Sequence, residues 1–196
     1  MNLITLESLH EAQNVAFAVT HPVTGKQMEY KDLIKDPEYR EDWLLSKSNE
    51  LGRLLQGVGK NDDGTQQVKG YDCYNAIHKF EVETGRAVTY ARTVCTVRPE
   101  KDEPNRSRIT AGGTLLHDYP GNVSTDTVGL ELIKMHWQLV LSTKNAKYMT
   151  IDIRNFYTNT PMDCYEYMRM HISEIPQEII DEYNLLPKVS EGYIYF

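Results

Sequence analysis

Two alternating runs, AVTYARTVCTVR over residues 87–98 and RSRITAGG over residues 106–113, constrain this chain more than anything else in it. The segment between them, PEKDEPN, is polar and proline-punctuated. Alternation of period two sends successive side chains to opposite faces of a strand, and Val, Thr and Ile suit that pleated surface. The pattern predicts an antiparallel β-hairpin. On its second strand Arg106, Arg108 and Thr110 share one face, with Ile109 and Ala111 on the other. Arg92 and Arg98 share a face of the first strand. Such a row reads either as a solvated basic face or as an anion site, because guanidinium forks match phosphate oxygens two bonds at a time.

Helical signals flank the hairpin. KDPEYREDWLLSKSNELGRLLQGVG predicts a helix capped by Asp36, with Pro37 in its first position and Glu38 and Glu41 suited to the N-terminal dipole. Leu44, Ser48, Leu51 and Leu55 recur at helical spacing, and Gly57 and Gly59 end the run. After it, GKNDDGTQQVKG reads as a turn-rich loop in which Asp62 and Asp63 form a plain turn. A second helix is expected after the capping candidates Ser124, Thr125 and Asp126. Its stripe of Val128, Leu132, Met135 and Leu139, widened by Ile133, Trp137 and Val140, predicts burial, with His136 partly covered. The tail predicts a short strand, a helix from near Pro176 and a last strand, GYIYF, with an exposed aromatic edge. Residues 1–29 show no clear core face and read as a leader or irregular arm.

Composition removes several classes of function. The chain has 196 residues, 40% hydrophobic and 25% charged, enough for one sizeable core or two small ones. Its net charge of −7 argues against a surface that coats nucleic acid, while leaving room for a local basic site. No apolar run approaches the ~20 residues of a membrane span, and the acidic start is unlike a secretory leader. Cys73, Cys95 and Cys164 form no Cys-x-x-Cys pair, which excludes a zinc ribbon and points to a reducing, intracellular compartment. No Gly-rich phosphate loop and no Gly-x-Ser-x-Gly occurs.

One carboxylate stands out. In KYMTIDIRNFYTNTPM, Met149, Ile151 and Ile153 alternate with Tyr148, Thr150 and Asp152, which places Asp152 at the end of an expected strand and off its packed side. No Cys or His adjoins it, which argues against a soft metal. A carboxylate beside a backbone carbonyl suits a hard cation such as Mg²⁺.

Three stretches together resemble one family. TIDIRNFYTNTPM is similar to the first catalytic motif of reverse transcriptases (RNA-directed DNA polymerases) from copia-type LTR retrotransposons. DPEYREDWLLSKSNELGRL is similar to that family's opening helix, and NRSRITAGG to its Lys-Ala-Arg-Leu-Val-Ala-Lys-Gly strand. They occur in the family's order and span most of the chain, from Tyr30 to Phe196. The resemblance implies an α+β fold: right-hand polymerase fingers with the beginning of the palm, truncated before the rest of the palm and the thumb. Fingers would occupy 30–120 and a first palm segment 121–158, with a return to fingers over 159–196, cut at the C-terminus.

Carried over by motif, Asp152 is implied as a ligand of two catalytic Mg²⁺ ions, with the Ile153 carbonyl completing one shell. Arg106 stands at the position of the triphosphate-binding lysine, Arg108 at the following arginine, and Tyr157 at the aromatic that excludes a ribose 2′-hydroxyl. The implied partners are an RNA or DNA template with primer, deoxynucleoside triphosphates, and the missing palm and thumb of the same polyprotein. The implied setting is a cytoplasmic retrotransposon particle or the nucleus. Gly112 replaces a lysine of the family pattern, and no Tyr-x-Asp-Asp follows Asp152. The fragment alone is therefore expected to be inactive. Two other readings stand beside this one: a non-catalytic nucleic-acid-binding or interaction module derived from the same fold, and an α/β domain in which Asp152 caps a loop.

Overall fold

The computed structural model describes residues 18–21, 24–112, 127–153, 156–162 and 164–196. By Cα proximity the chain divides into two units, Met1–Leu116 with Pro161–Phe196, and His117–Thr160.

The first unit is built on a four-stranded sheet of order β6-β5-β7-β8. Strands β5 (Val88–Val97) and β6 (Asn105–Ala111) form the antiparallel hairpin expected from the alternation, with Cys95 opposite Ser107 and Arg92 opposite Thr110. Strand β7 (Tyr167–His171) joins β5 in parallel, Val88 opposite Tyr167, and β8 (Tyr193–Tyr195) closes the order antiparallel to β7. Two small hairpins complete the strands: β1 (Val19–Thr20) with β2 (Gln27–Met28), and β3 (Gly57–Lys60) with β4 (Gln66–Lys69). Residues 18–29, in so far as they are described, thus hold a paired hairpin rather than an irregular arm, and Met28 is buried. In the β3–β4 turn the Asp63 carboxylate accepts the Thr65 N–H at 2.9 Å and its hydroxyl at 2.6 Å, the plain turn that an Asp-Gly step favours.

Helix α1 (Tyr30–Leu33) is one turn long, and α2 (Arg40–Leu54) is the main helix of this unit. It begins later than the capping pattern predicts. The Asp36 carboxylate accepts the Glu38 N–H at 3.0 Å, and its carbonyl accepts the Arg40 N–H at 2.9 Å. Asp36 therefore closes a turn ahead of the helix, and Tyr39 takes the N-cap position. Trp43, Lys47, Leu51 and Leu55 repeat every fourth residue and are all buried. Gly52 lets β3 approach: a Cβ there would lie 2.3 Å from Val58 Cγ1.

Two cores result. Leu51, Leu55 and Val58 pack with Met170, Ile175, Ile179, Ile180, Leu185, Ile194 and Phe196, so the C-terminal segment supplies most of the larger one. Met28, Tyr30, Leu33, Trp43 and Cys95 make the smaller. Helix α4 (Gln177–Glu182) follows Pro176, as the tail pattern predicts. The expected exposed edge at GYIYF is corrected. Ile194, Tyr195 and Phe196 are buried, because Met168 exchanges two backbone bonds with Phe196 and the Ile77 N–H donates to the Tyr195 carbonyl on the outer side.

In the second unit, α3 (Leu130–Ser142) is the regular element. Its expected burial is overturned: Leu130, Leu132, Ile133, Met135, Trp137, Leu139 and Leu141 are exposed, and so is His136. Tyr148 covers only ring edges, standing 5.5 Å from His136 and 5.9 Å from Trp137 by centroid. The expected caps Ser124, Thr125 and Asp126 lie outside the described residues.

Candidate functional site

The hairpin brings part of the expected site together. Register places Arg106 opposite Thr96, Arg108 opposite Val94 and Thr110 opposite Arg92, so these six residues share one face. The other face carries Thr93, Cys95 and Ser107, all buried beneath α2. The Ser46 hydroxyl accepts the Ser107 N–H at 2.8 Å and pins the helix to the strand that bears the arginines. Arg108 is exposed and Arg106 half-buried. Burial, then the neighbouring guanidinium groups of Arg108 and Arg98, push Arg106 below its ordinary value, while Glu50 pulls the other way. An arginine so placed stays charged at any ordinary pH. The crowding of like charges is what a bound anion relieves.

The Glu50 carboxyl is raised by burial, against the pull of Arg53, Arg106, Arg108 and Lys47. Arg53 also pairs with Glu103 of the hairpin loop. Arg92 is held by Glu29 at 3.3 Å. The basic face is therefore partly braced by carboxylates and not uniformly free.

Asp152, Ile153 and Tyr157 belong to the second unit. The expected strand over Tyr148–Ile153 is corrected: residues 146–153 have no regular secondary structure. A strand exists only through its ladder partners, and among the described residues none pairs with this segment. Asp152 and Ile153 are both exposed. Tyr157 opens a short 3₁₀ turn, Tyr157–Asn159, and its side chain lies outside the described residues, as do Arg154 and Asn155.

One exposed carboxylate and one carbonyl fit part of a single Mg²⁺ shell, because that ion takes six oxygens and holds weakly to one acid. Among the described residues no group of three His, Cys, Asp or Glu side chains gathers to hold a metal. The residues present do not fit a two-ion centre.

Sequence reading missed a buried cation. Lys47 is fully buried, its ammonium donating to the Thr93 hydroxyl and standing 5.2 Å from the centre of the Tyr30 ring. Burial pushes Lys47 down to about 8, against the opposing pull of Glu174, Cys95 and Glu50. Burial also lifts the Cys95 thiol to about 12. The available signal was its spacing, four residues from both Trp43 and Leu51 on one helix face.

No family model, no curated protein and no solved structure matches this chain. Among the described residues no helix is long and apolar enough to cross a membrane.

Proposed function

We propose that the chain is the fingers and first palm segment of a copia-type reverse transcriptase, a template-directed nucleotidyl transferase. The observation that carries this reading is the order in which the chain visits its two units. It builds the arginine hairpin, leaves for residues 117–160, and returns to lay β7 beside β5. The segment with the Asp152 motif is thus an excursion between two contributions to one sheet, which is the order fingers, palm, fingers that the resemblance implies.

In this reading Arg106 and Arg108 offset the charge of an incoming triphosphate, a contribution made by preorganised cations. Tyr157 limits the sugar by occupying the volume of a 2′-hydroxyl. Asp152 and the Ile153 carbonyl would supply only part of a metal shell, and the resemblance assigns the remaining carboxylates to a Tyr-x-Asp-Asp that these 196 residues do not contain. Metal ions held there would supply activation of the primer hydroxyl and stabilisation of the leaving pyrophosphate.

The coding DNA tests this most directly. An in-frame Tyr-x-Asp-Asp beyond Phe196 is expected, and the longer product should extend a primer on an RNA template while residues 1–196 alone should not. A stop codon directly after Phe196 with sustained expression would select the non-catalytic module instead.

A further inference from the structure

On the side of the first unit where α1 meets β5, β7 and β8 there is a cavity of about 500 Å³, whose lining includes Lys31, Lys35, Tyr90, Arg169, Glu174 and Tyr193. That size falls within the range of small-ligand sites. Its charge is lopsided. Lys31 is neutralised by Glu174 at 3.1 Å. Lys35 and Arg169 make no ion pair among the described residues, although the chain as a whole is acidic at −7. Two unneutralised cations on one concave surface raise the local anion concentration whatever the net charge.

The aromatic side chains give the cavity a second chemistry. The Arg169 guanidinium lies 4.8 Å from the centre of the Tyr193 ring. Stacking of that kind holds the planar group in place and leaves its edge N–H donors for an oxyanion. Tyr90 pairs with Arg169 across the β5–β7 ladder and is 47% exposed. Its ring rests where a side chain at position 112 would otherwise stand: a Cβ on Gly112 would lie 2.5 Å from Tyr90 Cε1. Gly112 thereby accounts for the place of this tyrosine, a flat surface in the cavity that Lys35 and Arg169 also line.

We infer that this cavity binds a nucleotide unit, its base against Tyr90 and its phosphate between Lys35 and Arg169. Oxyanion and planar ring together call for a phosphate-bearing aromatic ligand, and base–tyrosine stacking tolerates any base. The inference goes beyond the polymerase reading. It needs neither Asp152 nor the side chains of Arg106 and Arg108, and downstream sequence that sinks one leaves the other standing.

The test uses the full 196-residue chain with two probes. Adenosine monophosphate is titrated by calorimetry, and a labelled single-stranded oligothymidylate by fluorescence anisotropy at low and physiological salt. At least one probe should bind. Lys35→Ala and Arg169→Ala should each weaken it by about tenfold, the worth of one charged hydrogen bond. Tyr90→Ala should weaken it similarly, and Tyr90→Phe should retain it. Lys60→Ala, an exposed change on β3, should bind like the parent. An oligonucleotide bound more tightly than the monophosphate, with a steep salt dependence, identifies a strand as the source. Equal binding of the two identifies a free nucleotide. The inference is overturned if neither probe binds, or if Lys35→Ala and Arg169→Ala, both with intact circular dichroism, bind like the parent.

Discussion

Helices α2 and α3 have opposite fates for their composition. Helix α2 runs REDWLLSKSNELGRL, with many polar residues, yet Ser46, Lys47 and Ser48 are buried along with Trp43 and Leu51. Helix α3 runs LELIKMHWQLVLS and leaves seven large apolar side chains exposed. Burial here follows the company a helix keeps. The sheet that receives α2 supplies hydroxyl partners at Thr93 and Ser107 for groups that would otherwise be costly to bury. The α2 positions satisfy a defined neighbour, whereas the apolar stripe of α3 stays exposed among the described residues.

The largest expected effect tests the better-packed side of that contrast. Leu51 is wholly buried in the larger core, so Leu51→Ala should cost about 2–5 kcal/mol through lost transfer energy and the cavity left behind. Urea denaturation measures it as a lower midpoint at an unchanged slope. A cost below about 0.5 kcal/mol, the range of ordinary surface changes, would erase the distinction between the two helices.

Lys47 sharpens the comparison through pH. Its folded-state value, about 8, lies below the ordinary 10.5, so burying the ammonium destabilises the fold at neutral pH. Between about 8 and 10.5 the unfolded chain binds more protons at this site, and stability gained from it rises with pH. Cys95, which faces Lys47, and Tyr30 are both raised and work in the opposite direction as pH climbs. The comparison with Lys47→Met cancels most of that background. The variant should be the more stable at pH 7, as replacing a buried charge by an apolar side chain often is. Its lead should shrink by up to about 3 kcal/mol towards pH 10.5, since each tenfold change in proton affinity is worth about 1.4 kcal/mol. A lead that stays constant with pH would mean that Lys47 is hydrated.

These elements also show what the sequence conceals. The β5–β6 hairpin was legible because alternation and a short polar loop are local signals, and the arginine face followed from strand parity alone. The strand, helix and strand of the tail were legible for the same reason. The parallel pairing of β7 with β5 was not, since it joins residues almost eighty positions apart and leaves no trace in either strand. Lys47 contradicts the pattern that finds cores, and its partners, the Thr93 hydroxyl and the Tyr30 ring, are distant in sequence. Alternation in YMTIDI predicted a strand because it reports a face, while a strand also needs a ladder. Of the candidate site, the adjacency of Arg106 and Arg108 was legible, and the cavity at Tyr90 and Arg169 was not.

A smaller effect concerns the basic face. Arg106→Ala removes one charged donor from a crowded pair; under the polymerase proposal it should weaken deoxynucleoside triphosphate binding by about tenfold in the longer product, with stability hardly changed. Fluorescence titration with a labelled triphosphate measures it. Unchanged affinity would return the hairpin to a solvated face braced by Glu50 and Glu103.

The smallest expected effect falls on α3, and it can break the contrast altogether. Leu139 is 65% exposed and Leu141 82% exposed. Gln has nearly the helix propensity of Leu, so Leu139→Gln with Leu141→Gln leaves the backbone preference almost untouched. Little apolar surface returns to water on unfolding at these two positions, so little hydrophobic stabilisation is at stake. The double variant should match the parent within about 0.5 kcal/mol, the range of surface substitutions, while losing two apolar side chains from an exposed patch of the kind that drives association. Denaturation midpoints measure the first expectation and light scattering at rising concentration the second. A loss of 2 kcal/mol or more, about the scale of deleting core side chains, would show that these leucines are covered in solution, and that α3 too has a partner to account for its composition.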